Sequence, residues 1–319
     1  MRDINLGLDD FHQAWKRIEN RIHRTPLESA TLIGQEIGVK LYLKCENLQK
    51  TGSFKVRGNL NKVLQLDADS KEKGVVTISA GNHAQALAWA SRMAQTPCTV
   101  VMPETAQKSK VEASKGYGAE VILHGTVFEA FEKSFELARE NNLTFIHPFE
   151  DLNIIAGHGS LGLEILDQLG NVNIIVVGIG GGGLISGISA AVKLTKPDVH
   201  IFGVEPVGAD SMRRSLDTGK AVKLNKVETI ADGLGSPMAG ETTFEFVKKY
   251  VDDVVIVSDD EITRAMNLLL SRCKLLTEPA GAASVAALLH GKIPCSDGDR
   301  VAAVLSGGNI DIDRLKELV

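Results

Sequence analysis

Four short clusters in this 319-residue sequence hold residues whose types and spacing can do chemistry. The strongest is Gly178-Ile179-Gly180-Gly181-Gly182-Gly183-Leu184, which follows an apolar strand-like run and opens a helix-like one. Glycines clear side chains away and a helix N-terminus offers unpaired N–H donors, so the pair makes a phosphate cradle. A crowded strand–helix turn is the plain alternative, but consecutive glycines cost backbone entropy that such a turn does not by itself require. A P-loop would need Gly-Lys-Ser/Thr after the glycines, and Leu184-Ile185 stands there instead. The dinucleotide fingerprint fits loosely from Gly178 to Gly183, yet Glu205 arrives late for its ribose-binding acid.

The second cluster is Thr51-Gly52-Ser53-Phe54-Lys55-Val56-Arg57-Gly58. A partly desolvated, deprotonated lysine amine can form a Schiff base, and Phe54 could wall off one side of Lys55. On spacing alone a solvated lysine opening a helix is the commoner outcome, and Arg57 then reads as a surface arginine. The third cluster, Ser79-Ala80-Gly81-Asn82-His83, sits at a strand–helix junction whose N–H groups could receive a carboxylate. The Asn82 amide could donate to an oxyanion there. His83 reads equally as a general base or as a satisfied helix-start histidine. The fourth, Ser306-Gly307-Gly308-Asn309, ends the last apolar strand and is by itself a turn or a ligand loop.

The elements that must position these clusters alternate. Phe11, Trp15, Ile18 and Ile22 share a face and predict a helix from Asp9 to Ile22. A short helix over Glu28–Ile37 and a strand over Val39–Lys44 are expected next. Strands are then expected at 75–80, 99–102, 120–125, 143–149, 173–180, 200–206, 251–257 and 301–308. Helices are expected at 83–93, 108–116, 128–140, 184–194, 279–289 and 311–318, with one capped by Ser258 or Asp259. The strands are continuous β-branched or apolar runs, as where helices cover both faces of a parallel sheet. Ligands of α/β proteins bind at strand-terminal positions, which is where all four clusters fall.

Composition narrows the function classes. With 35 basic against 40 acidic residues and no basic block, a nucleic-acid surface has no footprint. The four cysteines, Cys45, Cys98, Cys273 and Cys295, are far apart and form neither a metal-finger nor a disulfide pattern. The start lacks a signal-like segment and no apolar run could span a bilayer, so a cytoplasmic chain without membrane partners is expected.

In order along nearly the whole chain, the clusters resemble the fold type II enzymes that depend on pyridoxal 5'-phosphate (PLP), and within them the threonine dehydratase and serine racemase group. His23-Arg24-Thr25-Pro26-Leu27 and Lys44-Cys45-Glu46-Asn47-Leu48-Gln49 extend the match. The resemblance implies an α/β fold like the tryptophan synthase β-subunit, with a small domain (72–145) inserted in a large one (1–71 and 146–319). It implies that Lys55 holds PLP covalently and acts in catalysis. Phe54 and Gly233 would line the cofactor, Asn82 would bond its 3'-oxygen, Gly180, Gly181, Gly182, Gly183 and Leu184 its phosphate, and Ser306 would face the ring nitrogen. Ser79, Gly81, Asn82 and His83 would grip the substrate carboxylate.

The implied activity is lyase chemistry in amino-acid metabolism: L-threonine to 2-oxobutanoate and ammonia, with L-serine dehydratase activity alongside. Serine racemase is the alternative. The racemases carry serine where Ala80 stands, and a methyl cannot deliver a proton to the face opposite Lys55. Threonine synthase and cysteine synthase share the broader fold, and an inactive metabolite sensor is the non-enzyme reading, against which Lys55, Asn82 and Ser306 all stand. The group often has a cation site, here Glu205, the Ala209 carbonyl and Ser211, where racemases have aspartate at the third position. Fewer charged oxygens imply weaker binding of Mg2+, Ca2+ or a monovalent ion. The family also implies a homodimer or homotetramer. No isoleucine-binding regulatory domain follows Val319, so isoleucine feedback is not expected.

Overall fold

The computed structural model describes residues 6–319; residues 1–5, which fall within the segment expected in the larger domain, lie outside the described residues. Among the described residues ten strands form two sheets. In chain order they are β1 (Leu27–Ser29), β2 (Lys40–Cys45), β3 (Val75–Ile78), β4 (Cys98–Met102), β5 (Glu120–Leu123), β6 (Thr144–Phe145), β7 (Ile174–Gly178), β8 (His200–Pro206), β9 (Asp253–Val257) and β10 (Arg300–Leu305). The larger sheet has the order β1-β2-β10-β7-β8-β9 and the smaller β5-β4-β3-β6. Every pairing is parallel except that of β1 with β2. Central strands such as β7 are buried along their whole length, which is why they read as unbroken apolar runs.

Several expectations change. The first helix stops at Ile18. Glu28 lies in β1, paired opposite Leu43, so the expected helix starts only at Thr31. The strand expected over 143–149 shrinks to Thr144–Phe145. Ser258, not Asp259, caps the following helix, accepting from Glu261 N. A helix that the residue pattern did not announce, Leu152–Gln168, runs through the middle of the molecule and is buried from Ile154 to Leu166. It packs between the helices Lys55–Leu64 and Gly183–Thr195 and so joins the lysine cluster to the glycine loop. Arg57 is not on the surface; its side chain is 0% exposed. All four cysteines are free. No helix among the described residues is long and apolar enough to cross a membrane.

Candidate active site

The four clusters open on one cavity of about 700 Å3. Phe54, Lys55, Ser79, Gly81, Asn82, His83, Gly180, Gly181, Gly182, Gly183, Leu184, Gly233 and Ser306 all line it, as does Ala80. Glu205, Ala209 and Ser211 do not.

Lys55 is the first residue of its helix. Its Nζ donates to the Pro148 carbonyl at 3.0 Å and lies 5.1 Å from the centre of the Phe54 ring. Burial pulls its pKa down to about 8, against a weaker upward pull from Glu278. The amine is therefore partly neutral near physiological pH, the state a nucleophile or proton acceptor needs.

The glycine loop meets a physical test for a phosphate. Gly182 caps the helix Gly183–Thr195 with φ +91°, a left-handed conformation. A Cβ on Gly181 would come within 2.2 Å of the Phe149 ring, so only glycine lets the loop lie this close to it. None of the N–H groups from Gly180 to Leu184 is hydrogen-bonded among the described residues. Unpaired donors at a helix start, facing a cavity, fit an anionic phosphate. Ser306 is buried behind the pocket, its Oγ 3.4 Å from the Ala280 carbonyl that accepts from it. That is a neutral hydroxyl, suited to facing an unprotonated ring nitrogen.

On the opposite wall the helix Asn82–Met93 begins at the third cluster. The N–H groups of Asn82 and His83 are likewise unpaired among the described residues and suit a carboxylate. Gly81 N donates to Ser79 Oγ at 3.2 Å, which shapes this turn. The His83 ring points away: Nδ1 is 3.2 Å from Asn59 Nδ2 and Nε2 is 3.1 Å from Thr77 Oγ1. Burial, with Lys55 nearby, holds its pKa well below the usual histidine range. Of the two readings of His83, the satisfied helix-start residue is the one its contacts match.

Among the cavity residues outside the four motifs, Glu278 carries a charge-bearing group. Glu278 stands before Pro279 at the start of an alanine-rich helix, yet its side chain turns into the pocket. Its Oε1 accepts from Asn82 Nδ2 at 2.6 Å. Burial raises its pKa to about 7. A carboxylate ahead of Pro279, facing a strand-end loop rich in glycine, was the only available signal.

The expected cation residues lie apart, at the end of β8. Glu205 is fully buried, and its two oxygens accept from Met212 N at 2.8 Å and Arg213 N at 2.7 Å. Its carboxylate is thus committed to backbone N–H groups and does not line the cavity, so the dinucleotide reading loses its ribose acid. Ser211 Oγ is buried without a hydrogen-bond partner. Among the described residues no three His, Cys, Asp or Glu side chains are grouped to hold a metal ion.

The model of the family described as pyridoxal-phosphate dependent enzyme matches residues 18–307. The chain is 44% identical over 315 residues to an L-threonine ammonia-lyase of Thermotoga maritima, covering 98% of this chain and 78% of that one. It is 43% identical to an L-threonine dehydratase catabolic TdcB of Staphylococcus aureus, covering 98% and 92%. The solved structure of maize serine racemase superposes with a TM-score of 0.94 at 38% identity, covering 98% and 96%.

Proposed function

The chain belongs to the pyridoxal-phosphate dependent enzyme family, and from that premise we propose that it is an L-threonine ammonia-lyase, converting L-threonine to 2-oxobutanoate and ammonia and acting on L-serine as well. The observation that carries this reading is a single cavity in which a partly neutral lysine amine, an unpaired phosphate cradle and the Ala80 methyl meet. The names of the threonine-cleaving relatives support the choice of substrate.

When bound, PLP supplies an electron sink that spreads the negative charge left at Cα when its proton is removed. Lys55 Nζ would hold the cofactor, and its depressed pKa would leave the free amine able to accept that proton. The Gly180–Leu184 amides grip the phosphate. Asn82 donates to the 3'-oxygen, and the Asn82 and His83 amides, with Ser79 and Gly81, orient the substrate carboxylate. Phe54 and Gly233 wall the ring. Ser306, a neutral hydroxyl, would face the ring nitrogen without the counter-charge that stabilises its protonated form, a setting that favours prompt loss of the β-hydroxyl over long storage of charge.

Serine racemase is the second reading, favoured by the structural likeness to the maize enzyme. It needs a proton donor on the face opposite Lys55, and Ala80 offers only a methyl at the cavity wall. Ala80→Ser is expected to raise D-serine formation relative to ammonia release from L-serine. Unchanged D-serine formation would remove Ala80 as the determinant.

Residues 72–145 form an inserted small domain in the body made of 1–71 and 146–319, in keeping with the run of β3 to β6 between Val75 and Phe145. A weakly held cation, Mg2+, Ca2+ or monovalent, sits at Glu205, the Ala209 carbonyl and Ser211, whose unsatisfied hydroxyl is the supporting feature. The chain forms a homodimer or homotetramer; Leu48 and Leu276, both large and exposed, are surface that a second copy would cover.

A further inference from the structure

Glu278 has no place in the roles assigned above, yet it holds one end of a hydrogen-bonded chain across the cavity. Asn82 Nδ2 donates to Glu278 Oε1 at 2.6 Å, and Asn82 Oδ1 accepts from Asn309 Nδ2 at 2.8 Å. Asn309 Nδ2 also donates to the Thr51 carbonyl at 2.7 Å. Both ends of the Asn82 amide are thus committed, while its second N–H has no partner among the described residues. Glu278 is itself fixed: its N–H donates to the Gly307 carbonyl at 3.2 Å. A Cβ on Gly307 would lie within 2.4 Å of Glu278 Oε1, so the glycine leaves the carboxylate its room.

We propose that Glu278 is a positioning residue for Asn82, holding the amide in the one orientation that presents its second N–H to the oxyanion of the cofactor. An ionised carboxylate can only accept. With Glu278 charged, a flipped Asn82 would set oxygen against oxygen at Glu278 and nitrogen against nitrogen at Asn309. A protonated Glu278 can donate to the flipped amide oxygen instead, so one of the two groups that enforce the orientation is lost and only Asn309, held by the Thr51 carbonyl, still opposes the flip. The charged groups that act on Glu278 are Lys110 and Lys55, which favour its ionised form, and Asp232, which opposes it. Lys110 is partly engaged, 3.6 Å from Asp232. Burial outweighs them and leaves the carboxyl titrating at about 7, where its protonation changes within the working range of an enzyme.

This inference rests on the cofactor-binding reading and is independent of threonine as the substrate. The test compares full-length holoenzyme with Glu278→Gln, Glu278→Asp, Asn82→Ala and the double variant E278Q/N82A. Two quantities are followed on either side of pH 7: the rate at which PLP leaves, from its absorbance, and the pH profile of kcat against KM. In the wild type, PLP leaves about tenfold faster on the acid side, the fold-change expected for loss of a charge-assisted hydrogen bond. E278Q shows the fast rate at every pH, because a glutamine amide holds either orientation, and E278D restores the pH step. In N82A the rate is fast and flat, and adding E278Q changes nothing further. A pH step that survives in E278Q, or an E278Q effect of equal size with and without Asn82, would overturn the proposal. A wild-type chain that binds no PLP would instead fail the cofactor reading itself.

Discussion

Lys55 and Arg57 stand two residues apart in the first turn of one helix, and the fold treats their charges in opposite ways. Arg57 is fully buried between two carboxylates. Its Nε and Nη2 reach Glu46 at 2.8 Å each, and its Nη1 and Nη2 reach Glu164 at 3.0 and 3.1 Å. Lys44 Nζ joins Glu164 at 2.6 Å and Thr25 Oγ1 donates to Glu46 at 2.6 Å. Burial pulls the Arg57 pKa down, but Glu46 and then Glu164 outweigh it, and the net direction is up. Lys55 has only a backbone carbonyl as hydrogen-bond partner among the described residues, and its pKa falls to about 8. A cation kept for structure is given counter-charges; a cation kept for chemistry is denied them.

That contrast is breakable, and the largest effect should come from Lys55. Lys55→Ala is expected to lower 2-oxo acid release by at least about 10^3-fold, the scale of a lost general base together with a lost anchor, with circular dichroism unchanged. Retained activity would remove the lysine from the chemistry. Arg57→Met leaves Glu46 and Glu164 facing each other without their arginine and should cost about 3–5 kcal/mol in urea unfolding. A surface arginine would cost close to nothing, so this variant separates the two placements.

The pH dependence sharpens the same point. At pKa about 8 roughly one amine in ten is neutral at pH 7, against about one in three thousand for an unperturbed lysine. The rate at which the cofactor-free chain takes up PLP should therefore rise as pH increases and level off above about 8. A rise that continues towards the ordinary lysine range would mean that the site does not depress the amine. The smallest expected effect is Thr25→Val, which strips one hydrogen bond from Glu46 while leaving Arg57 in place. About 1–3 kcal/mol of stability should go, with the PLP uptake profile unmoved.

The two cations also mark the limit of what could be read from the residue order. The glycine loop was legible as an anion site because it is local, a few neighbouring residues at a strand–helix junction, whereas Lys55 and Ser79–His83 were ambiguous alone and took their expected roles only from the order of all four clusters along the chain. Arg57 was misplaced because its partners Glu46 and Glu164 lie 11 and 107 residues away, and no spacing rule links them. The helix Leu152–Gln168 went unannounced for a related reason. It is apolar on most sides, so it has no stripe to detect, and its glycines read as helix breakers. In the fold they are contact points: a Cβ on Gly157 would come within 2.5 Å of the Arg57 carbonyl oxygen. Glu278 was legible only as the residue that opens a helix at Pro279, because its partner Asn82 arrives from the other side of the cavity.

The most direct test of the account is to load the purified chain with PLP, record the absorption of the bound cofactor, and follow products from L-threonine and L-serine. The account predicts a protein-bound chromophore, equal amounts of ammonia and 2-oxobutanoate from L-threonine, and D-serine formation slower than ammonia release from L-serine. No bound chromophore, or racemisation that outpaces ammonia release, would contradict it.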